Sequence, residues 1–283
     1  MSNSAFERVT VSPMDEYNQT LVSYVHPPDW VNPQPANCYD LVVMGAGTAG
    51  LVVAAGAAGL DLGLKVALIE KHLMGGDCLN VGCVPSKCMI RSSRVVAQIQ
   101  EAKAYGINVP EQIEVDFPAV MQRMRRIRAN ISPHDSAERF QQLGIDVFLG
   151  KGRFSGDNTI AVGDRTLRFK KAVIATGARA AQPPIQGIEE VGYLTNETVF
   201  SLTERPQRLA VIGGGPIGCE LAQTFRRLGS EVILFHRGSH LLDKEDADAA
   251  EIVQNVFLRE GIRLVLNCQI ERVEKTSNGK ILY

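Results

Sequence analysis

An α/β fold made of two Rossmann-like units is predicted by three observations. Two Gly-x-Gly-x-x-Gly turns occur, Gly45-Ala-Gly47-Thr-Ala-Gly50 and Gly213-Gly-Gly215-Pro-Ile-Gly218. Each follows a short apolar run and opens a stretch with helical apolar spacing. Gly45 and Gly213 stand 168 residues apart, so one strand–turn–helix–strand pattern is used twice.

The elements follow in order. Residues 1–37 are polar and carry Pro13, Pro27, Pro28, Pro33, Pro35 and the single Trp30; they read as an extension draped over a domain. A strand at 39–44 runs into the first glycine turn, a helix at 48–60 follows, and a strand at 65–69 is closed by Glu70. Helices are expected over 86–104 and 116–143. Strands are expected at 146–149, 159–162 and 166–169, with a turn at Gly156-Asp157-Asn158, and a buried strand at 171–175 ends in Thr176-Gly177. The second unit has a strand at 209–212, a helix at 219–228, a strand at 231–235, a helix at 246–260 and a strand at 262–266. Residues 280–283 read as a further strand without a partner, with Ile281 and Leu282 on an exposed edge. The boundaries are an extension over 1–37, a first nucleotide-binding domain over 38–185 and a second, incomplete one over 186–283.

Composition removes several functions. The 283 residues hold 30 Lys and Arg against 31 Asp and Glu, and this balance argues against a nucleic-acid partner. One basic cluster, Arg123, Arg125, Arg126 and Arg128, alternates with Met124 and Ile127 and reads as a solvated helix face. Residues 41–60 carry no charge and are long enough to span a bilayer. Five glycines in that run fit a strand, a tight turn and a buried helix better, so no membrane partner is expected. The N-terminus shows no charged segment followed by an apolar one, so a cytoplasmic location is expected. In such a reducing compartment, a disulfide among the six cysteines is more often catalytic than structural.

The first glycine turn meets every context test for a dinucleotide site. It follows a strand, opens a helix, and is followed 20 residues after Gly50 by the acid Glu70. Gly45 allows the tight turn, Gly47 admits a pyrophosphate, Gly50 lets helix and strand pack, and Glu70 suits a ribose hydroxyl pair. In the second copy, aligning the strands places His236 where Glu70 stands, with Arg237 next. Without the carboxylate a ribose 2′-phosphate is not repelled and Arg237 is able to pair with it, which leans towards NADPH. NADH stays open, with Arg237 as a plain surface residue.

Between the turns lies Gly75-Gly76-Asp-Cys78-Leu-Asn-Val-Gly82-Cys83-Val-Pro85-Ser-Lys87. Two cysteines five apart at a helix start are able to bring their Cα atoms within the roughly 4.4–6.8 Å of a disulfide. Pro85 suits a first helical turn, and the positive helix end favours a thiolate. Gly75, Gly76 and Gly82 let a flat ring lie on the backbone. Zinc is the weaker use of this pair, because the spacing is not Cys-x2-Cys and no second pair or suitable histidine follows; no metal site is expected. Cys88 reads as a buried helix residue.

This stretch, GGDCLNVGCVPSK, resembles the active-site signature of the class I pyridine nucleotide-disulfide oxidoreductases. VVMGAGTAG, AVIATGARA and AVIGGGPIGCE add to the resemblance, which runs from about Tyr39 to the end and is greatest to the mercuric-reductase branch. The resemblance implies FAD at the first turn, with Gly45, Gly47, Gly50, Glu70 and Lys71 near its ADP half. Gly152 would lie by the adenine, Thr176 and Gly177 by the pyrophosphate, and Gly76 and Lys87 near the ring. The nicotinamide nucleotide would sit on Gly213, Gly215 and Gly218, with Arg237 and Ile270 as further contacts. Glu220 would approach Lys87, and Pro216 falls where some members carry an aromatic gate. The implied chemistry passes hydride from NAD(P)H to flavin and then reduces a Cys78–Cys83 disulfide through Cys83, after which Cys78 attacks a small disulfide or Hg(II). A dihydrolipoyl dehydrogenase or glutathione reductase type enzyme is the first alternative; a truncated, non-catalytic flavin- or nucleotide-binding module is the second. Family members continue into a dimerisation domain that carries a His–Glu acid–base pair. It is absent from these residues, so the full-length form is expected to be a homodimer and the 283-residue chain alone inactive.

Overall fold

The computed structural model describes residues 9–110, 113–277 and 279–283. The chain opens with α1 (Glu16–Val25), β1 (Tyr39–Met44), α2 (Thr48–Ala58), β2 (Val66–Glu70) and α3 (Gly76–Val81). There follow α4 (Cys83–Glu101), α5 (Phe117–Ile131), α6 (Ala137–Gln142), β3 (Ile145–Leu149), β4 (Gly152–Gly156), β5 (Thr159–Val162) and β6 (Arg165–Ile174). The remainder is α7 (Ile188–Val191), α8 (Asn196–Val199), β7 (Arg208–Ile212), α9 (Pro216–Arg227), β8 (Glu231–Phe235), α10 (Ala247–Arg259) and β9 (Arg263–Val265), then β10 (Val273–Thr276) and β11 (Gly279–Leu282). The described residues form two compact units, one up to residue 85 together with 124–179, the other from 86–123 together with 180–283.

The first unit is built on a six-stranded sheet in the order β3-β2-β1-β6-β5-β4. β2 is buried along its whole length, as a parallel strand covered on both faces must be, and its sequence Val-Ala-Leu-Ile-Glu is correspondingly apolar. β6 serves two partners. Its first half runs antiparallel to β5, with Thr166 opposite Ala161, and its second half parallel to β1, with Val173 opposite Val43. The stretches expected at 166–169 and 171–175 are therefore one strand. β4 completes the edge; its residues after Gly152 are all exposed, so no alternating pattern betrays it.

Three expectations need correction here. The N-terminal extension is not merely draped, because Leu21 and Val25 of α1 are fully buried in the core with Leu68, Leu73 and Met74. The arginine cluster is a solvated face only at Arg126, because Arg125 and Arg128 are buried and bonded to the α1 segment and Arg123 is half-buried. The helix expected over 116–143 is broken by a 3-10 turn at Ser132–Asp135, where Pro133 has no N–H to give the ladder. Ser136 then restarts the chain as α6 by accepting the Arg139 N–H at 3.2 Å.

In the second unit β7, β8 and β9 form a parallel sheet, with Leu209 opposite Val232 and Ile233 opposite Arg263. The last strand is not unpaired: β11 forms an antiparallel hairpin with β10, placing Ile281 opposite Glu274, and Leu282 packs on Ile185, Ile188 and Val273. Among the described residues no helix is long and apolar enough to cross a membrane, and the uncharged run at 41–60 is β1, a turn and α2.

Candidate active site

The first turn is fixed by backbone contacts that leave no room for side chains. Gly45 has φ +105° and donates its N–H to the Ile69 carbonyl at 2.8 Å; a Cβ there would run into the Ala175 carbonyl. A Cβ on Gly50 would strike the Gly45 carbonyl, so helix and strand meet backbone to backbone. No side chain caps α2 at Gly47, which leaves its first-turn N–H groups to an anionic ligand. Glu70 is buried and pinned: Oε2 accepts the Ala46 N–H at 2.7 Å and Oε1 the His72 N–H at 2.8 Å. Each oxygen keeps a second lone pair for a hydroxyl. Thr176 and Gly177 follow the Ala175 carbonyl that backs Gly45, Gly152 lies over Ile69 and Met44, and Lys71 is exposed. An uncapped helix end and a cradle that a Cβ would fill suit the pyrophosphate of a dinucleotide.

The cysteine loop closes over this turn. Gly75 donates its N–H to the Ala46 carbonyl at 2.8 Å. Gly76, at φ +55°, lies so close that a Cβ on it would be 2.5 Å from the Cα of Gly47. Cys78 follows on α3, and its sulfur hydrogen-bonds both the Cys83 thiol and the hydroxyl of Thr48, the first residue of α2. Burial pushes the Cys78 thiol up, and donation to the Cys83 sulfur and the charges of Cys83 and Asp135 add to that; only the Thr48 hydroxyl pulls it down. The expected lowering by a helix end is thus overridden at Cys78, which sits inside α3, while Cys83 is the residue that opens α4. Asp135 is itself held above the usual carboxylate range by burial. Neither Thr48 nor Asp135 stands out in the sequence. Thr48 is legible only as the residue after Gly47, and Asp135 carries no local signal at all.

The second turn repeats the backbone in the second unit. Gly213 has φ +108° and donates to the Phe235 carbonyl at 2.8 Å, and a Cβ on Gly218 would strike the Gly213 carbonyl. α9 starts at Pro216 after Gly215, again with no side-chain cap. His236 occupies the place of Glu70: buried, it accepts the Gly214 N–H on Nδ1 at 3.1 Å. That bond leaves the ring proton to Nε2, which lies 3.7 Å from Asp243 Oδ2. Arg237 is exposed beside it. Ile270 packs against Ile185, Ile188 and Val273 of the hairpin cluster. In the same unit Lys87 Nζ of α4 meets Glu220 Oε1 of α9 at 2.7 Å, with both side chains substantially exposed. Cys88 and Cys219 are buried, and burial raises the Cys219 thiol to about 11.

The first unit is thus an α/β fold with a cysteine pair closed over its first glycine turn. Residues 39–282 match the pyridine nucleotide-disulphide oxidoreductase family, and the chain belongs to it. Members are FAD-dependent and work with NAD(P)H. A mercuric reductase of Lysinibacillus sphaericus is 34% identical over 245 residues, 87% of this chain and 44% of that protein. A dihydrolipoyl dehydrogenase of Chlamydia trachomatis is 36% identical over 259 residues, 86% of this chain and 54% of that one. Among solved structures, the HOCl-induced flavoprotein disulfide reductase RclA from Escherichia coli superimposes with a TM-score of 0.73 at 28% identity, covering 87% of this chain and 53% of that one. The chain thus spans about half the length of these relatives.

Proposed function

We propose that this chain is the FAD- and nicotinamide-nucleotide-binding part of a reductase that acts on a small disulfide or on Hg(II) through Cys78 and Cys83. The observation that carries the reading is the closure of the cysteine loop on the first glycine turn, Gly76 against Gly47 and Cys78 against Thr48. Residues 38–185 are assigned to FAD and 186–283 to the nicotinamide nucleotide. When bound, the flavin supplies two-electron exchange between the nicotinamide and the cysteine pair.

The chain's own residues do the rest. The uncapped end of α2 and the backbone of Gly45 to Gly47 hold the pyrophosphate, and Glu70 orients the ribose while it braces the turn. Lys87, held by Glu220, offers a positive charge one helical turn beyond Cys83. In the reduced protein the Cys78 thiolate attacks one sulfur of a disulfide substrate and expels the other as a thiolate, leaving a mixed disulfide at Cys78. The Cys83 thiolate then attacks the Cys78 sulfur, closing the Cys78–Cys83 bond and expelling the second substrate thiolate. Thr48 steadies the Cys78 thiolate during the first attack. In solution the full-length form is taken to be a homodimer, and no nucleic-acid or membrane partner is assigned. Of the family's activities, mercuric-ion reduction is favoured by the resemblance of the active-site stretch, with dihydrolipoamide oxidation or glutathione disulfide reduction as the second reading. NADPH is favoured over NADH because His236 puts an imidazole where the first turn has a carboxylate, with Arg237 exposed beside it.

A redox-buffer titration of the purified chain tests the cysteine assignment. Cys78 and Cys83 are expected to interconvert between dithiol and disulfide as one two-electron couple. Failure of these two to pair, or pairing through Cys88, would remove the proposed chemistry. Nucleotide choice is read by binding NADPH and NADH to wild type and Arg237→Ala. A charge-assisted 2′-phosphate contact is worth about 1.5–3 kcal/mol; equal affinities in the wild type would overturn the NADPH assignment.

A further inference from the structure

Residues before 39 lie outside the family match, yet they bond directly to the chain just before the cysteine loop and reach α3 through Arg128. Asp15 caps α1 by accepting the Asn18 N–H at 3.0 Å and takes the Arg125 Nε–H at 2.5 Å. Asn18 is fully buried, and its Oδ1 accepts from Arg128 Nη2 at 2.6 Å. The other arm of the same guanidinium, Nη1, donates to the Asn80 carbonyl at 2.5 Å. Asn80 stands two residues beyond Cys78 on α3, and its own amide donates to the carbonyls of Met74 and Gly76 at 3.0 and 2.8 Å. At the far end of α1, the Val25 carbonyl accepts the Met74 N–H at 3.0 Å and His26 Nδ1 meets the His72 carbonyl at 2.5 Å.

A helix of six residues such as α3 does not hold itself in water; its orientation is set by what packs on it and by what satisfies its terminal carbonyls. Here a buried guanidinium does so. Burying that charge gains little net stability over an apolar side chain of the same volume, but it fixes one geometry, because the planar fork must reach Asn18 and Asn80 together. Leu21 and Val25 carry α1 into the core with Leu73, Met74 and Leu79, so the strap and the loop share one packed cluster.

We propose that α1 and Arg128 are the positioning device of the Cys78 thiol, with Arg128 as the residue that transmits the placement of α1 to α3. The inference rests on Cys78 being the reacting thiol. Displaced from Thr48 and Cys83, that sulfur loses the hydrogen bonds that set its reactivity, and Cys83 loses its partner.

The test uses the 283-residue chain, fully reduced, with iodoacetamide as probe and mass spectrometry to resolve each cysteine across pH. Three variants are compared: Arg128→Met, Asn18→Ala, which keeps the guanidinium but removes its α1 partner, and Leu167→Ala, which loosens the opposite face of the same sheet. Both strap variants are expected to change the Cys78 rate at a given pH by about tenfold, the effect of one unit in thiol pKa, and to shift the Cys78–Cys83 midpoint. Leu167→Ala is expected to lower Tm and leave both unchanged. If Arg128→Met does not fold, Asn18→Ala carries the comparison. Strap variants that lose only Tm, with Cys78 rate and midpoint as in wild type, would overturn the inference. A wild-type pair that never cycles would instead overturn the proposed function, while the alkylation comparison would still read the strap.

Discussion

In the first glycine turn the Ala46 N–H is taken by a carboxylate, Glu70; in the second the equivalent Gly214 N–H is taken by an imidazole nitrogen of His236. The backbone around both is the same, from the left-handed first glycine to the third glycine pressed on its carbonyl. The turn therefore demands an acceptor after its second strand but not a charge. An acid at that position serves the fold in the first turn, and a histidine takes the same bracing role in the second. The covers differ too. Gly47 is closed by Gly76 of the cysteine loop, whereas a Cβ on Gly215 would meet nothing within 4 Å.

The largest effect expected from this contrast is in the covers. Gly76→Ala forces a Cβ onto the backbone of Gly47 at a positive φ and should cost about 2–4 kcal/mol in urea unfolding. Gly215→Ala should cost less than about 1 kcal/mol. Similar losses at both would mean that the cysteine loop does not close the first turn. Next in size are the acceptors. Glu70→Ala leaves two backbone N–H groups to be resatisfied and should lose about 2 kcal/mol, against about 1 kcal/mol for His236→Ala, which frees one. Reversal of that order, by the same unfolding measurement, would break the equivalence of the two acceptors.

The smallest effect is electrostatic and separates the sulfurs beside the turns. The Cys78 thiol is raised, so its thiolate fraction at neutral pH is below that of an ordinary cysteine, and its alkylation should climb at higher pH than a free thiol's. Asp135→Asn removes a negative charge that holds the proton on, so Cys78 should react about two- to threefold faster at pH 8, and Thr48→Val should slow it by a similar factor. Cys219, buried and raised to about 11, should stay unmodified in the native protein throughout. An unchanged Cys78 rate in Asp135→Asn would show that Asp135 takes no part in raising the thiol.

At the arginine cluster the sequence misleads because the partner is distant along the chain. Arg125 and Arg128 sit in an alternation that normally marks a wet helix face, and only the approach of Asp15 and Asn18 buries them. The break in the helix falls at Pro133, a local feature. Ile281 and Leu282 read as an open edge because their strand partner, β10, is short and mostly exposed.

By itself the sequence determines the two strand–turn–helix units, the bounds of β1 and β8, the cysteine pair and the family, since each is written in local periodicity, glycine spacing or a contiguous stretch. The matched place of His236 and Glu70 follows from strand alignment alone. Only the tertiary structure decides that both groups brace their turns, that Thr48 bonds Cys78 while Asp135 lies beside Gly75 of the same loop, and that α1 is linked to the cysteine loop through Arg128. These are contacts between residues far apart in the chain, made by side chains whose neighbours in sequence carry no trace of the group they will meet.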